Sequence, residues 1–231
     1  MVIFKYKLKY YLYYTFFQIR ILMRVHMIFE DFDPNVHDTR QVAELVFDVD
    51  LRIFRRVFKS KENAISAIEK KLFAEYPLFK NSSDFPLYVI FNKEDPSKLL
   101  GIILVSCGKN FNFLKEVYYL FKNLDFVSAT RFTMVKYIDK KTLSKVNEED
   151  LYIAEIATTK SDRCKGVGRA ILQHVLDKAK ELGYKRVVLD VDLKNNKALK
   201  LYESLGFKVF DKKKFQYGSH MKKTYNMEYV F

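Results

Sequence analysis

Apolar and polar positions along this chain follow two periods, and the changes between them mark out its elements. Tyr152 to Thr158 is a short, mostly apolar run containing Ile153 and Ile156, which suits a buried strand. Further on, Ile171, Leu172, Val175, Leu176, Ala179 and Leu182 fall on one face of a helix, and Gly183 stands where a C-cap belongs. Tyr184 to Val191 is a second apolar run. Strand, glycine-bearing turn, helix and strand predict a βαβ unit, with parallel strands and a right-handed crossover.

The flanking sequence reads the same way. Val25 to Phe32 is a strand, and Asp38 with Gln41 opens a helix that continues through Val42, Leu45, Val46 and Val49. A second helix is expected from Lys61 to Tyr76, ending before Pro77. Leu87 to Phe91 and Leu99 to Val105 read as strands joined by the turn-forming residues Asn92 to Ser97. The stretch from about 110 to 150 is longer than a turn requires. In it Phe113, Leu114, Val117, Tyr118, Leu120, Phe121 and Leu124 predict an amphipathic helix, and Arg131 to Ile138 a helix or a strand. An insertion of this length is either a lid over a binding site or a packing element or dimer contact. After Lys208 to Phe210, the basic run Lys212 to Lys214 reads as a solvated hairpin turn, and Thr224 to Phe231 as the last strand.

Composition narrows the class. A chain of 231 residues with 49% hydrophobic content has ample material for a core. Without repeats or low-complexity linkers, residues 25–231 read as a single domain and residues 1–24 as an N-terminal extension. That extension has no acid and carries Lys5, Lys7, Lys9, Arg20 and Arg24 among its aromatic residues. Its uncharged stretch from Tyr10 to Ile19 is too short to span a bilayer, so no transmembrane segment is expected. It reads as a segment lying on a membrane surface, or as sequence ahead of a start at Met23 or Met27. The net charge of +13 arises from basic residues scattered among 28 acids, so a nucleic-acid partner is not expected. Two cysteines, Cys107 and Cys164, and four dispersed histidines suggest neither a disulfide framework nor a metal site, and the cytoplasm is the expected compartment.

The candidate chemistry lies in the turn Arg163, Cys164, Lys165, Gly166, Val167, Gly168, Arg169. Glycines allow close backbone approach, the following helix offers unpaired N–H groups, and three cations surround the turn, which together make an anion site. A dinucleotide fingerprint would need a third glycine, and a P-loop would need Gly-Lys-Ser/Thr. Neither is present.

Arg163-x-x-Gly166-x-Gly168 resembles the acyl-CoA pyrophosphate motif of the GNAT N-acetyltransferases. Asn195-x-x-Ala198-x-x-x-Tyr202-x-x-x-Gly206-Phe207 resembles their second motif. Cys164 departs from the glycine common after the motif arginine, though a backbone N–H remains there. The segment from Leu189 to Phe207 is similar to the ribosomal-protein alanine acetyltransferases in particular. The resemblance implies an α+β fold, an α/β/α sandwich whose mixed central sheet has two splayed parallel strands and helices on both faces. It implies acetyl-CoA as co-substrate without a metal, an amine acceptor on a protein N-terminus or small molecule, and direct acetyl transfer. Residue by residue, the backbone of Ile156, Ala157 and Thr158 would meet pantetheine, Cys164 to Arg169 the pyrophosphate, and Asn195 the pantetheine or the leaving sulfur. Tyr202 would be the general acid and Asp190 the first candidate base, with Glu155 second. The alternative reading is a non-catalytic acyl-CoA-binding regulatory module.

Overall fold

The chain forms β1 (Met27–Asp31), α1 (Thr39–Val49), α2 (Leu51–Phe58), α3 (Lys61–Asn81), β2 (Leu87–Asn92), β3 (Leu99–Cys107), α4 (Phe113–Asn123) and α5 (Phe126–Thr142). It continues with β4 (Asp150–Thr158), α6 (Val167–Glu181), β5 (Arg186–Asp192), α7 (Asn196–Leu205), β6 (Lys208–Tyr217) and β7 (His220–Val230). The computed structural model describes residues 27–81, 86–107, 113–143, 145–163 and 165–231. The expectations for the extension 1–24 and for Cys164 fall outside these residues.

The seven strands form one sheet in the order β1-β2-β3-β4-β5-β7-β6. β4 and β5 pair in parallel, and the other pairs are antiparallel. Each face of the sheet packs its own apolar cluster. On one side Phe47, Phe58, Ile65, Ile68, Phe132 and Ile138 join α1, α2, α3 and α5 to Val89 and Ile102. On the other, Ile171, Leu172 and Leu176 of α6 pack on Ile103, Ile153, Val187 and Leu189. The mixed sheet between two helical layers is the expected fold class.

Local signals account for most element boundaries. Asp38 caps α1: its carboxylate accepts from Gln41 N at 3.1 Å and from the Gln41 side-chain amide at 2.9 Å, both bonds running toward Asp38. Two expectations need correction, one helix was not foreseen, and one open alternative is settled. The stretch after α1 forms the further helix α2, whose Ile53, Phe54, Val57 and Phe58 are buried. α3 runs through Pro77 to Asn81. Proline removes one backbone donor, and the helix continues past it rather than ending. Arg131 to Ile138 is helical, within α5. Finally, Lys212 to Lys214 lies inside β6 rather than in a turn; the turn comes at Gly218 and Ser219. β6 is an edge strand, and lysines on an edge discourage pairing with another chain.

The insertion is built into the core. Leu120, Ala129, Phe132, Val135 and Ile138 belong to the first cluster. At the end of α5 the Thr142 carbonyl accepts from Thr224 Oγ1 at 3.0 Å and from Asn226 Nδ2 at 3.3 Å, and both donors lie fully buried on β7.

The parallel pair is pinned at one end. Arg186 opens β5 opposite Asp150 of β4 and donates to it twice, Nε at 2.9 Å and Nη2 at 2.6 Å. Its Nη1 reaches Glu228 of β7 at 2.6 Å. The Arg186 contact, together with the backbone N–H of Asn147, holds the Asp150 carboxyl below its ordinary pKa despite burial. Removing Asp150 leaves the largely buried Arg186 guanidinium with Glu228 as its one remaining carboxylate among those that hold it. Asp150→Ala should therefore cost about 3 kcal/mol in denaturant unfolding near neutral pH. The stabilisation is present above the unfolded-state pKa of about 3.9 and is lost as pH falls through the lower folded value, so wild type and variant should converge in acid.

Candidate active site

The β4–β5 ladder begins at Asp150 with Arg186 and ends at Ile153 with Leu189, although β4 continues to Thr158 and β5 to Asp192. Beyond Ile153 the strands diverge into a fork. Parallel strands separate only where something redirects one of them, and β4 carries a bulge there. Leu104 of β3 faces Glu155 while Val105 faces Ile153, which leaves Ala154 unmatched. Gly101 of β3 holds the far limb close, since a Cβ there would stand 2.4 Å from the Ala157 carbonyl oxygen.

The bulge also decides where Glu155 points. Strict alternation would place it with Leu151 and Ile153, in the core under α6. The additional residue reverses the alternation, so that Ile153 and Ile156 share the α6 face while Glu155 turns to the opposite one. There it lies among Lys71 and Glu75 of α3 and Lys136 and Asp139 of α5. Burial is the main cause that raises its carboxyl to about 7, with the two lysines opposing and the two acids adding. Among the described residues Glu155 has neither a hydrogen bond nor an ion pair.

Asp190 lies on the other prong, on the same face. It accepts from the Tyr152 hydroxyl at 2.6 Å, and burial raises its pKa against the opposing pull of Lys222 and that hydrogen bond. Lys222 is itself held by Asp50 at 2.7 Å and Asp139 at 2.8 Å, and these acids with Asp190 keep it firmly charged against the cost of burial. Tyr202 belongs to the opposite face. It is buried beside Phe207, with ring centroids 5.9 Å apart, and burial raises its hydroxyl well above the ordinary range, with the Asp190 charge adding to it. The fork thus has two carboxyl groups on one face and a protonated phenol on the other.

At the mouth of the fork, Gly166 has φ of +89° and caps α6, a backbone geometry that side chains rarely adopt. The first N–H groups of α6 face outward from there, as an anion site requires. Asp162 braces the turn from beneath, accepting from Ser161 Oγ at 2.8 Å, Thr159 Oγ1 at 3.0 Å and Lys98 Nζ at 3.1 Å. The Arg163 guanidinium is engaged by Asp48 of α1 at 2.6 Å and by the Thr158 carbonyl at 3.4 Å. Lys165 lies 3.8 Å from Asp162, and Arg169 donates to Ser204 of α7. Asn195 caps α7, its side-chain oxygen accepting from Ala198 N at 3.2 Å. Val167 is buried on the α6 core. Among the described residues no group of three His, Cys, Asp or Glu side chains is placed to hold a metal ion.

Tyr152, Lys222, Asp50, Asp139 and Asp162 are participants that sequence reasoning missed. One signal was available. Lys222, Thr224, Asn226 and Glu228 alternate along β7 with Met221, Lys223, Tyr225, Met227 and Tyr229, apolar but for Lys223. That pattern marks a polar strand face, but the periodicity does not reveal that this face is buried.

Three comparisons bear on the site. Residues 69–207 match the family described as Acetyltransferase (GNAT) family. The chain is 41% identical over 66 residues to N-alpha-acetyltransferase 30 of Xenopus laevis, a match spanning 29% of this chain and 24% of that protein. Among solved structures, an N-acetyltransferase from Staphylococcus aureus Mu50 superimposes with a TM-score of 0.58 at 23% identity, covering 86% of this chain and 99% of that one. Spermidine N-acetyltransferase from Vibrio cholerae, in complex with CoA and spermine, gives 0.54 at 13% identity, covering 89% and 96%.

Gly168 separates packing from ligand binding. A Cβ there would meet Leu201 at 3.5 Å and Thr158 at 3.8 Å, ordinary contact distances, so this chain leaves room for one. Gly168→Ala should fold with an unchanged or higher Tm, by up to about 1 kcal/mol of stability. The methyl group would narrow the approach of a pyrophosphate, and CoA affinity by calorimetry should fall at least about tenfold. Unchanged affinity would show that the turn does not hold the ligand.

Proposed function

The chain belongs to the acetyltransferase (GNAT) family, and we propose that it transfers the acetyl group of acetyl-CoA to a primary amine by direct attack. One observation carries this reading: the fork between β4 and β5, with carboxyl groups on one face and Tyr202 on the other. A thioester threaded through the gap could be met by an amine from the carboxyl side and by a proton donor from the phenol side. The unpaired edge of Ile156, Ala157 and Thr158 would hold the extended pantetheine arm. The turn from Cys164 to Arg169 would hold the pyrophosphate, chiefly through backbone N–H groups, since Arg163 and Arg169 already have partners. Asn195 would shape the gap near the sulfur by fixing the start of α7.

In the reaction, the amine nitrogen forms a bond to the thioester carbonyl carbon and the carbon–sulfur bond breaks. Glu155 takes the amine proton, and the Tyr202 hydroxyl gives its proton to the departing thiolate. Glu155 is ranked ahead of Asp190 as base. Its carboxyl, raised to about 7, can accept a proton near neutral pH, whereas Asp190 is engaged with Tyr152 and lies beside Lys222. An N–H of the β4 edge would stabilise the oxyanion.

The relative acting on an α-amine favours a polypeptide N-terminus as acceptor. An α-amine, at about 7.7–8.0, also needs less help to lose its proton than a lysine at about 10.4. We place the protein in the cytoplasm on its sparse cysteines, with no nucleic-acid partner.

Release of free thiol should be followed with acetyl-CoA and three acceptors: a peptide with a free N-terminus, the same peptide blocked but carrying lysine, and spermidine. Turnover is expected with the first. CoA binding without release from any amine would instead favour a non-catalytic acyl-CoA-binding module. For the wild type, kcat/KM should rise with pH through about 7 as Glu155 loses its proton. In Glu155→Gln that rise should move to the amine's own pKa of about 7.7–8.0. Tyr202→Phe should lower kcat by about a hundredfold with little change in CoA affinity. A wild-type pH profile in Glu155→Gln removes it from the role of base.

A further inference from the structure

The inner face of the α4–α5 hairpin packs into the core, but its outer face is apolar and is left uncovered by the described residues. Leu114, Tyr118 and Phe121 follow helical spacing along α4, and Leu114 and Tyr118 are 77% and 68% exposed. Phe126 and Met134, 76% and 45% exposed, continue the stripe on α5 to Tyr137, whose half-exposed ring also packs edge-on against Phe215 of β6. Ring contacts join the stripes at both ends, Phe121 to Phe126 at 5.7 Å and Phe113 to Tyr137 at 6.5 Å between centroids. Single exposed apolar residues are ordinary; a continuous patch this rich in large ones marks an interaction surface.

Charge identifies the kind of partner. The exposed Lys122, Lys140 and Lys141 rim the patch, and the ammonium groups of Lys140 and Lys141 lie over the Phe113 and Tyr137 rings at 4.7 and 5.4 Å. The three acids of the hairpin are all committed: Glu116 to Lys136, Asp139 to Lys222, and Asp125 to the cap of α5. The face therefore combines large apolar side chains with unopposed positive charge. A second copy of this chain would bring the same cations against it. Residues 1–24, basic and without acid, are no better matched.

We propose that the outer face of the α4–α5 hairpin docks this protein onto an anionic lipid surface. Leucine and aromatic side chains enter the boundary between headgroups and acyl chains, while the lysines extend their ammonium groups to lipid phosphates. Tyrosine at the edge of an apolar face suits that boundary. Among the described residues no helix is long and apolar enough to cross a membrane. A bilayer needs no groove and offers negative charge over an area as broad as the hairpin, which favours it over an acidic protein. The opposite side of the same hairpin delivers Asp139 to Lys222 beside the fork, so docking would hold the carboxyl face of the site in a fixed relation to the membrane.

The full chain should sediment with vesicles containing phosphatidylglycerol but not with pure phosphatidylcholine, and added salt should weaken the association. The double substitution Leu114→Ser and Phe126→Ser alters only exposed side chains, so Tm should be retained. It should reduce vesicle binding at least about tenfold, as should Lys140→Glu with Lys141→Glu. Failure to sediment with either vesicle overturns the proposal. So does equal binding to both compositions, or undiminished binding by the folded double variant, which would assign attachment to another part of the chain. A concentration-dependent dimer abolished by the same substitutions, without vesicle binding, would assign the face to a second copy. Thiol release with a soluble peptide is independent of these outcomes, because none of the altered residues touches the fork.

Discussion

Two neighbouring parallel strands that stop pairing partway along their length impose the main constraint on this protein. Strand edges in a sheet interior normally satisfy each other, and leaving them apart exposes backbone groups that must find other partners. The divergence is held open by a register shift and by steric contact close at hand. The residue at the bulge, Ala154, shifts β4, and the near contact of Gly101 with the Ala157 carbonyl ties its far limb to β3. At the other end, Arg186 bridges Asp150 and Glu228 and prevents the separation from running further. An unpaired strand edge, a helix N-terminus and side chains from both faces therefore meet in one gap.

The division of labour between apolar and polar groups follows from that geometry. The two large clusters on either side of the sheet supply the burial that stabilises the fold. Buried charge pairs add little net stability, because desolvation offsets most of their attraction. The Lys222 group, shared by Asp50 and Asp139 beside Asp190, is thus better understood as a positioning device. It fixes the relation of α2 and α5 to β5 and β7 where the carboxyl groups emerge.

The βαβ unit was legible in the sequence because its signals are local. The apolar spacing of α6, the glycines before it and Gly183 after it each involve neighbours in the chain. The Asp38 cap, accepting twice from Gln41, was legible for the same reason. The facing of Glu155 was not, since it depends on a pairing shift between β4 and β3 that no periodicity contains. α2 was missed because Asp50, with no side-chain capping bond, gives little sign that a second helix begins directly after the first. Lys212 to Lys214 misled because a run of lysines suits both a turn and an edge strand, and only the sheet order distinguishes them. Tyr152 and Asp190 lie 38 positions apart and meet only once β4 and β5 are paired.

The bonds at the end of α5 carry a consequence for how such a chain could diversify. In sequence the insertion looks like a cassette that could be exchanged or lost between related genes. Its last carbonyl, however, accepts from both Thr224 and Asn226 on a strand more than eighty positions later, and both are fully buried. Excision would leave a hydroxyl and an amide without that acceptor and strip the cover from Phe58. The segment and the last strand are therefore coupled as units of inheritance. Any lineage that shortens the one must also rewrite the polar face of the other.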